Sequence, residues 1–280
     1  MEEEPFVADI SVLPEGCISD IVSLTSPKDA CRLCAVSHIF HAAAESNAVW
    51  ERFLPSDYQA IIARSSSSSS DILNFSSKKK IYLSLSDNPI LIDDSKKSFF
   101  LDKSSGKKCY LLAARELCII WSGSPQYWNW ISLPEESRFP EVAELLNVCW
   151  LDICGKMSTS MLSPNTNYAA YLVYKLTEGA YGFDRIPPTV SVGTTEEGEV
   201  CKQTVFLGQR QQHTSPPSQR KDGWLEIKLG EYFNEEGKDY ELQIRLLEGD
   251  SRQWKRGLIV EGIEIRPTKG IHRGLVRVKN

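Results

Sequence analysis

The chain changes its hydrophobic period once. Between Leu13 and Tyr58 apolar residues recur at the spacing of short helices: Ile18, Ile21 and Val22 fall on one side of a first helix, and Pro14 suits its opening turn. Gly16 weakens that turn by up to ~1 kcal/mol relative to alanine. Ser26, Pro27 and Asp29 signal a second helix, with a capping hydroxyl, a proline at the first position and a carboxylate near the positive end. A third helix begins at Ser37 and carries Ile39, Phe40 and Ala43. Three such helices bury little apolar surface alone, so this unit is expected to share its core with a partner. From Tyr110 the pattern becomes that of strands. Trp150–Ile153, Tyr168–Leu176, Thr189–Val192, Thr204–Leu207, Trp224–Leu229, Tyr240–Leu246 and Leu258–Ile265 are short runs rich in β-branched and aromatic residues, separated by turn chemistry. Tyr240, Leu242, Ile244 and Leu246 alternate with Glu241, Gln243 and Arg245, the signature of a strand with one wet face. Pro140–Leu146 is the one candidate helix in this half.

These elements predict an α+β multidomain chain in which a small helical unit precedes an all-β, jelly-roll-like sandwich. The expected divisions are an acidic lead over 1–10, the helical unit over 11–57, a serine-rich linker and packing segment over 58–106, the sandwich over 107–267 and a basic tail over 268–280. The serine run from Ser65 to Ser70 reads as a flexible joint. Ile81–Lys108 reads as a linker that packs on the strand-rich half after it. Lys78–Lys80 read as a solvated helix face or loop rather than a nuclear signal.

The stretch Tyr110–Trp130 holds Trp121, Trp128 and Trp130, three of the seven tryptophans. Leu117–Trp121 reads as a strand, Ser122–Pro125 as a reversal and Gln126–Ile131 as a return strand, which puts Trp121 and Trp128 on either side of one loop. Rim indoles there would stack on the C–H faces of a sugar ring; the competing reading is that both are core.

Composition narrows the function. A net charge of −5 lacks the basic footprint of a nucleic-acid binder. No segment approaches the ~18 apolar residues of a membrane span, and the opening MEEEPF is acidic where a signal peptide is basic and then apolar. The expected location is therefore cytoplasm and nucleus, with the eight cysteines reduced. Cys31, Cys34, His38 and His41 lack the separation between pairs that a zinc finger needs, so no metal or cofactor is expected.

Leu13-Pro14, Ile18, Ile21, Leu24, Asp29, Val36-Ser37, Phe40 and Trp50 fall where an F-box places its own residues, and the first half resembles that family. Phe40-His41 departs mildly from the family's aromatic-basic pair. The resemblance implies docking onto a Skp adaptor, and through it a cullin, in an SCF (Skp–cullin–F-box) ubiquitin ligase. Leu13, Pro14, Ile18, Ile21, Leu24, Val36, Phe40 and Trp50 would be the adaptor-binding residues.

Residues 107–267 resemble the phloem-protein-2 (Nictaba-type) lectin domain through AARELCIIW, PQYWNWI, VAELLNVCWLDICGKM, TNYAAYLVYKL, DGWLEIKLGEYF and WKRGLIVEGIEIRP. The joint order is similar to the plant F-box phloem-protein-2-B group. That family's carbohydrate residues fall by motif on Trp121, Trp128, Glu241 and Glu248. Carboxylates accept from sugar hydroxyls, although the seven-residue step between the glutamates puts them on opposite faces of a straight strand unless a turn redirects Glu248. Glycoside hydrolysis, which needs two acids flanking one bond, is not expected, nor is a Ser-His-Asp site. The resemblance thus implies a non-catalytic substrate receptor that captures glycoprotein or N-acetylglucosamine-containing glycan for a ubiquitin ligase. Its alternatives are an adaptor that reads protein surfaces through loops such as Gln209–Asp222, and a stress or defence lectin acting without the ligase.

Overall fold

The computed structural model describes residues 13–65, 72, 74–195, 202–208, 216–249 and 253–268. The acidic lead, most of the serine run, most of the basic tail and part of the 209–222 loop lie outside them. The chain forms two compact units: the helices together with Leu101–Gly106, and the strands of the second half together with Ile90–Phe100.

The first unit contains α1 (Glu15–Ser23), α2 (Pro27–Leu33), α3 (His38–Glu45), α4 (Asn47–Phe53), α5 (Tyr58–Ala63) and α6 (Lys78–Asp87). Serines start four of these helices by accepting from backbone N–H groups that would otherwise be orphaned: Ser26 from Asp29, Ser37 from Phe40, Ser46 from Ala48 and Ser77 from Lys80. Helical periodicity turns Ile18 and Val22 inward and leaves Ile21 and Leu24 outside. Trp50 is the centre of the core. Its indole N–H donates to Ala44 O at 2.7 Å, and its ring meets Phe53 edge-on at 5.6 Å and Tyr82 at 5.1 Å. The segment expected as a linker over 58–106 holds α5 and α6, and in α6 Lys78 pairs with Glu51 at 2.8 Å and Lys79 pairs with Glu45. These lysines are clasps between helices rather than a solvated run.

The second unit is an antiparallel sandwich. Its strands are β1 (Ile90–Ile92), β2 (Lys97–Leu101), β3 (Lys108–Ala113), β4 (Cys118–Ile119), β5 (Trp128–Ile131), β6 (Val142–Leu145) and β7 (Leu151–Ser158). They continue as β8 (Thr166–Tyr181), β9 (Thr189–Thr194), β10 (Lys202–Thr204), β11 (Ser218–Gln219), β12 (Leu225–Asn234), β13 (Glu241–Glu248) and β14 (Arg256–Pro267). The larger sheet runs β1-β2-β3-β14-β8-β12-β11, with β6 on β14 and β5 on β6; the smaller runs β10-β9-β13-β7-β4. Facing side chains such as Ile263 and Leu112 against Gly155 fill the space between them.

Three expectations change here. Pro140–Leu146 is a strand at its centre, because Val142–Leu145 bonds to both β5 and β14 and buries Val142, Ala143 and Leu145. Ile90–Leu101 is a hairpin rather than linker. Asp93, Asp94 and Ser95 turn it at φ of 54°, 55° and 62°, conformations that short polar side chains tolerate, and Arg64 grips Asp93 through two bonds of 2.8 and 2.6 Å. Thr204–Leu207 keeps only Thr204 in a strand.

β14 is buried on both faces from Gly257 to Ile265, which is why its sequence reads as a nearly continuous apolar run. A side chain at Gly262 would run into the Leu112 carbonyl, so the strand approaches β3 only because that position is glycine. The face of the larger sheet away from the smaller is closed by Phe139 and Trp224, which pack with Leu111, Val142, Val173 and Ile259. Glu261 is buried and accepts from Ser137 Oγ at 3.0 Å. Burial pushes its carboxyl above the usual range, against the smaller opposing pull of Arg138 and the Ser137 bond. A raised carboxyl contributes stability below its unfolded value and loses that contribution as pH rises through the folded one. Glu261→Gln should therefore raise the urea midpoint at pH 7 and leave it nearly unchanged at pH 4, read from denaturation curves at both values.

Candidate functional site

Among the described residues of the helical unit, several large apolar side chains are exposed. Leu24 is 71% exposed and Val36 64%; Leu13, Ile21 and Ile39 are also exposed, and Phe40 is partly so. All six belong to the stretch from Leu13 to Phe40. Pro14 lies exposed with them, at the N-cap of α1. Ile18 and Trp50 do not join this exposed set. Both are wholly buried, because the first lies on the inward stripe of α1 and the second is the pillar of the core. Ile39, outside the expected set, is exposed like Val36 three residues before it.

At the sandwich, the chain leaves β4 at Ile119 and returns as β5 at Trp128. Trp121, between them, adopts φ 57°, a left-handed conformation that costs a bulky residue of order 1–3 kcal/mol. The loop is braced against that cost from within. Ser122 N–H donates to Ile119 O at 3.1 Å, and Ser124 N–H to Trp121 O at 2.9 Å. Both following indoles reach back to loop carbonyls, Trp128 Nε1 to Ile120 O at 3.1 Å and Trp130 Nε1 to Ser122 O at 3.2 Å. The braced loop holds the Trp121 indole 41% exposed, leaning on Tyr127 with ring centroids 5.3 Å apart and planes at 37°. Ser122, Gly123 and Pro125 of the same loop line a cavity of about 450 Å³ together with Arg115, Leu117, Asn129, Trp130 and the small accessible edge of Trp128. The Arg115 guanidinium sits 3.6 Å over the Trp130 ring and pairs with Glu141 at 2.7 Å.

The four residues expected to bind sugar are thus not one constellation. Trp128 is 1% exposed, a brace under the loop rather than a rim indole. Glu248 is buried and ion-paired with Lys255, whose ammonium also donates to Gln253 O at 2.9 Å. No turn redirects Glu248, because it is still within β13 as its last residue, paired opposite Leu151 of β7. Glu241 is exposed and accepts from Lys156 Nζ at 2.7 Å; that bond holds its carboxyl below the usual range. Its distance from Trp121 follows from register. Glu241 faces Ser158 on β7, whereas Ile120 bonds Asp152 on the same strand, a step of six residues or roughly 20 Å at the rise of a strand. Trp121 is exposed and stacks on a half-buried Tyr127, and the polar groups of the cavity along the same loop are Arg115, Ser122 and Asn129. Alternation in Trp128-Asn129-Trp130 was the signal that Asn129 faces out while both indoles turn in.

Comparison with known proteins accords with both units. The F-box domain family matches residues 10–52, and the Phloem protein 2 family matches residues 107–267. F-box protein At2g02240 of Arabidopsis thaliana is 46% identical over 272 residues, covering 95% of this chain and 82% of its own. F-box protein PP2-B10 of the same plant is 44% identical over 275 residues, covering 96% of each chain. F-box protein PP2-B15, also from Arabidopsis thaliana, is 41% identical over 283 residues, covering 91% of this chain and 96% of its own. A helical F-box unit followed by an antiparallel β-domain defines a two-domain F-box protein. The chain belongs to the plant F-box phloem-protein-2-B family.

Proposed function

We propose that the chain is the substrate-receptor subunit of an SCF ubiquitin ligase, and that its phloem-protein-2 domain captures targets by their glycans. The observation that carries the first part is the exposed apolar set on α1, at the end of α2 and on α3, with Leu24 and Val36 its most exposed members. A Skp adaptor covering that set would complete a core too small to stand alone. The chain then acts without catalysis of its own, holding target and ubiquitin-charged enzyme at high effective concentration. Glu241 and Glu248 lie on opposite faces of β13, which agrees with a receptor rather than a hydrolase, since they do not flank one bond.

For the glycan, the supporting observation is Trp121, held outward at backbone cost beside Tyr127. A tryptophan kept exposed by its neighbours' hydrogen bonds presents a flat apolar face to the C–H side of a sugar, and Asn129 and Ser122 supply hydroxyl partners in the cavity along the same loop. The expected ligand is an N-acetylglucosamine oligomer or an N-glycan. Multivalent glycan arrays should show retention of the wild-type chain, with cytoplasm and nucleus as the compartments where such targets meet the ligase.

Leu24→Asp and Val36→Asp should each weaken capture by a purified Skp adaptor at least tenfold while leaving the far-ultraviolet circular dichroism spectrum unchanged, because both side chains are on the surface. Undiminished capture by both variants would place the adaptor elsewhere or nowhere on this unit.

A further inference from the structure

Cys118 on β4 and Cys154 on β7 stand directly opposite each other. Both belong to the outward side of the smaller sheet, Cys118 exposed and Cys154 partly buried. The ladder sets their separation. Ile120 N–H donates to Asp152 O at 3.0 Å, which makes that pair a hydrogen-bonded one. Two residues back along β4 and two residues on along β7, Cys118 and Cys154 are a pair of the same kind, whose Cα atoms lie about 5.5 Å apart. That Cα separation lies within the roughly 4.4–6.8 Å of disulfides, but the Cβ atoms of a hydrogen-bonded pair stand about 5.5 Å apart against the roughly 3.5–4.5 Å a disulfide needs, so closure draws the short edge strand β4 about 1 Å toward β7. The two thiols line a recess of about 330 Å³ open to solvent, with Asp152, Gln243 and Arg245 around them. The Arg245–Asp152 pair, bonded at 2.9 and 2.6 Å, forms one wall.

We propose that Cys118 and Cys154 are a redox-closing dithiol, oxidised by glutathione disulfide to a cross-strand link between β4 and β7. The deprotonated Cys118 sulfur attacks one sulfur of glutathione disulfide, forming a mixed disulfide and expelling one glutathione thiolate. Cys154 then loses its proton and attacks the Cys118 sulfur, and the second glutathione thiolate leaves. Two protein thiols are oxidised, one glutathione disulfide is reduced to two glutathiones, and the two protons lost by the cysteines end on them. Exposure gives Cys118 the first step. Burial, with the neighbouring Cys118 adding to it, holds the Cys154 thiol above the ordinary range, which suits a resolving thiol rather than an attacking one.

The link would change the recognition end of the domain. β4 is two residues long and stands at the edge of its sheet, and the chain runs from it through Ile120 into Trp121. Closing the disulfide ties that short strand covalently to β7 and restrains the loop beyond it. This inference does not depend on the loop binding sugar.

The test is peptide mass mapping of the full chain after equilibration with glutathione disulfide, acid quenching and alkylation of the remaining thiols. The expected result is a Cys118–Cys154 linked peptide that disappears on adding reduced glutathione. Hydrogen exchange across residues 118–122 should slow in the oxidised protein. Cys154→Ser should stop at a single glutathione adduct on Cys118. In the wild-type chain, a map with both cysteines alkylated, an adduct on Cys118 that never resolves, or a link joining either to another cysteine would each overturn the proposal. The wild-type map needs no variant to fold.

Discussion

Trp128→Ala is expected to destabilise the β-domain by about 3–5 kcal/mol, whereas Trp121→Ala should leave it folded. The two residues stand seven apart on one loop and are the same amino acid, so the contrast isolates environment. Trp128 is 1% exposed, and its indole N–H holds Ile120 O; removing it opens a cavity and frees a carbonyl of the loop. Trp121 is 41% exposed at φ 57°, so truncation removes surface area and a ring contact with Tyr127. Saccharide retention should fall with Trp121→Ala at unchanged melting temperature. With Trp128→Ala it should fall only together with the fold. Urea denaturation beside a multivalent glycan assay separates the cases. Equal destabilisation by both substitutions would mean that Trp121 is part of the core.

Lys255→Met should cost about 3–5 kcal/mol, and the cost should shrink when Glu248→Gln is added. Lys255 and Glu248 are both 2% exposed in their side chains, where a carboxylate without its cation is far from water. Removing the ammonium alone leaves that charge uncompensated, while removing both charges leaves a buried amide beside an apolar chain of similar length. A double-mutant cycle by urea denaturation measures the difference. Additive single effects would show that the pair is not coupled. The same result bears on recognition, because a carboxylate needed inside the fold is not spare for a ligand.

Much of the helical unit is legible in the amino-acid sequence. Ser26 and Ser37 announce α2 and α3 by local chemistry, and local chemistry is what a cap depends on. The inward and outward roles of Ile18 and Leu24 are less legible, since a pattern that binds a partner and a pattern that builds a core share the same residue types. In the β-domain, alternation locates β13 and its faces. The odd step from Glu241 to Glu248 already places the two on opposite sides, and the strand keeps them there. β6 escapes because four residues are too few for a period, and its conformation is decided by β5 and β14 on either side. The left-handed Trp121 has no local signal at all. A bulky residue takes that conformation only when distant bonds hold it, here from Trp128 and Trp130. Register is equally silent in a sequence: Cys118 and Cys154 become partners only once β4 is laid on β7.

A resin carrying N-acetylglucosamine oligomers, loaded with the chain and then with a purified Skp adaptor, tests directly whether one molecule joins a glycan to a ligase. The wild-type chain should retain the adaptor on the resin. Leu24→Asp should stay bound while the adaptor washes through, and Trp121→Ala should leave neither behind. If the folded wild-type chain fails to stay on the resin, glycan capture is wrong. If it stays but never holds the adaptor, the bridge between the two units' partners is wrong.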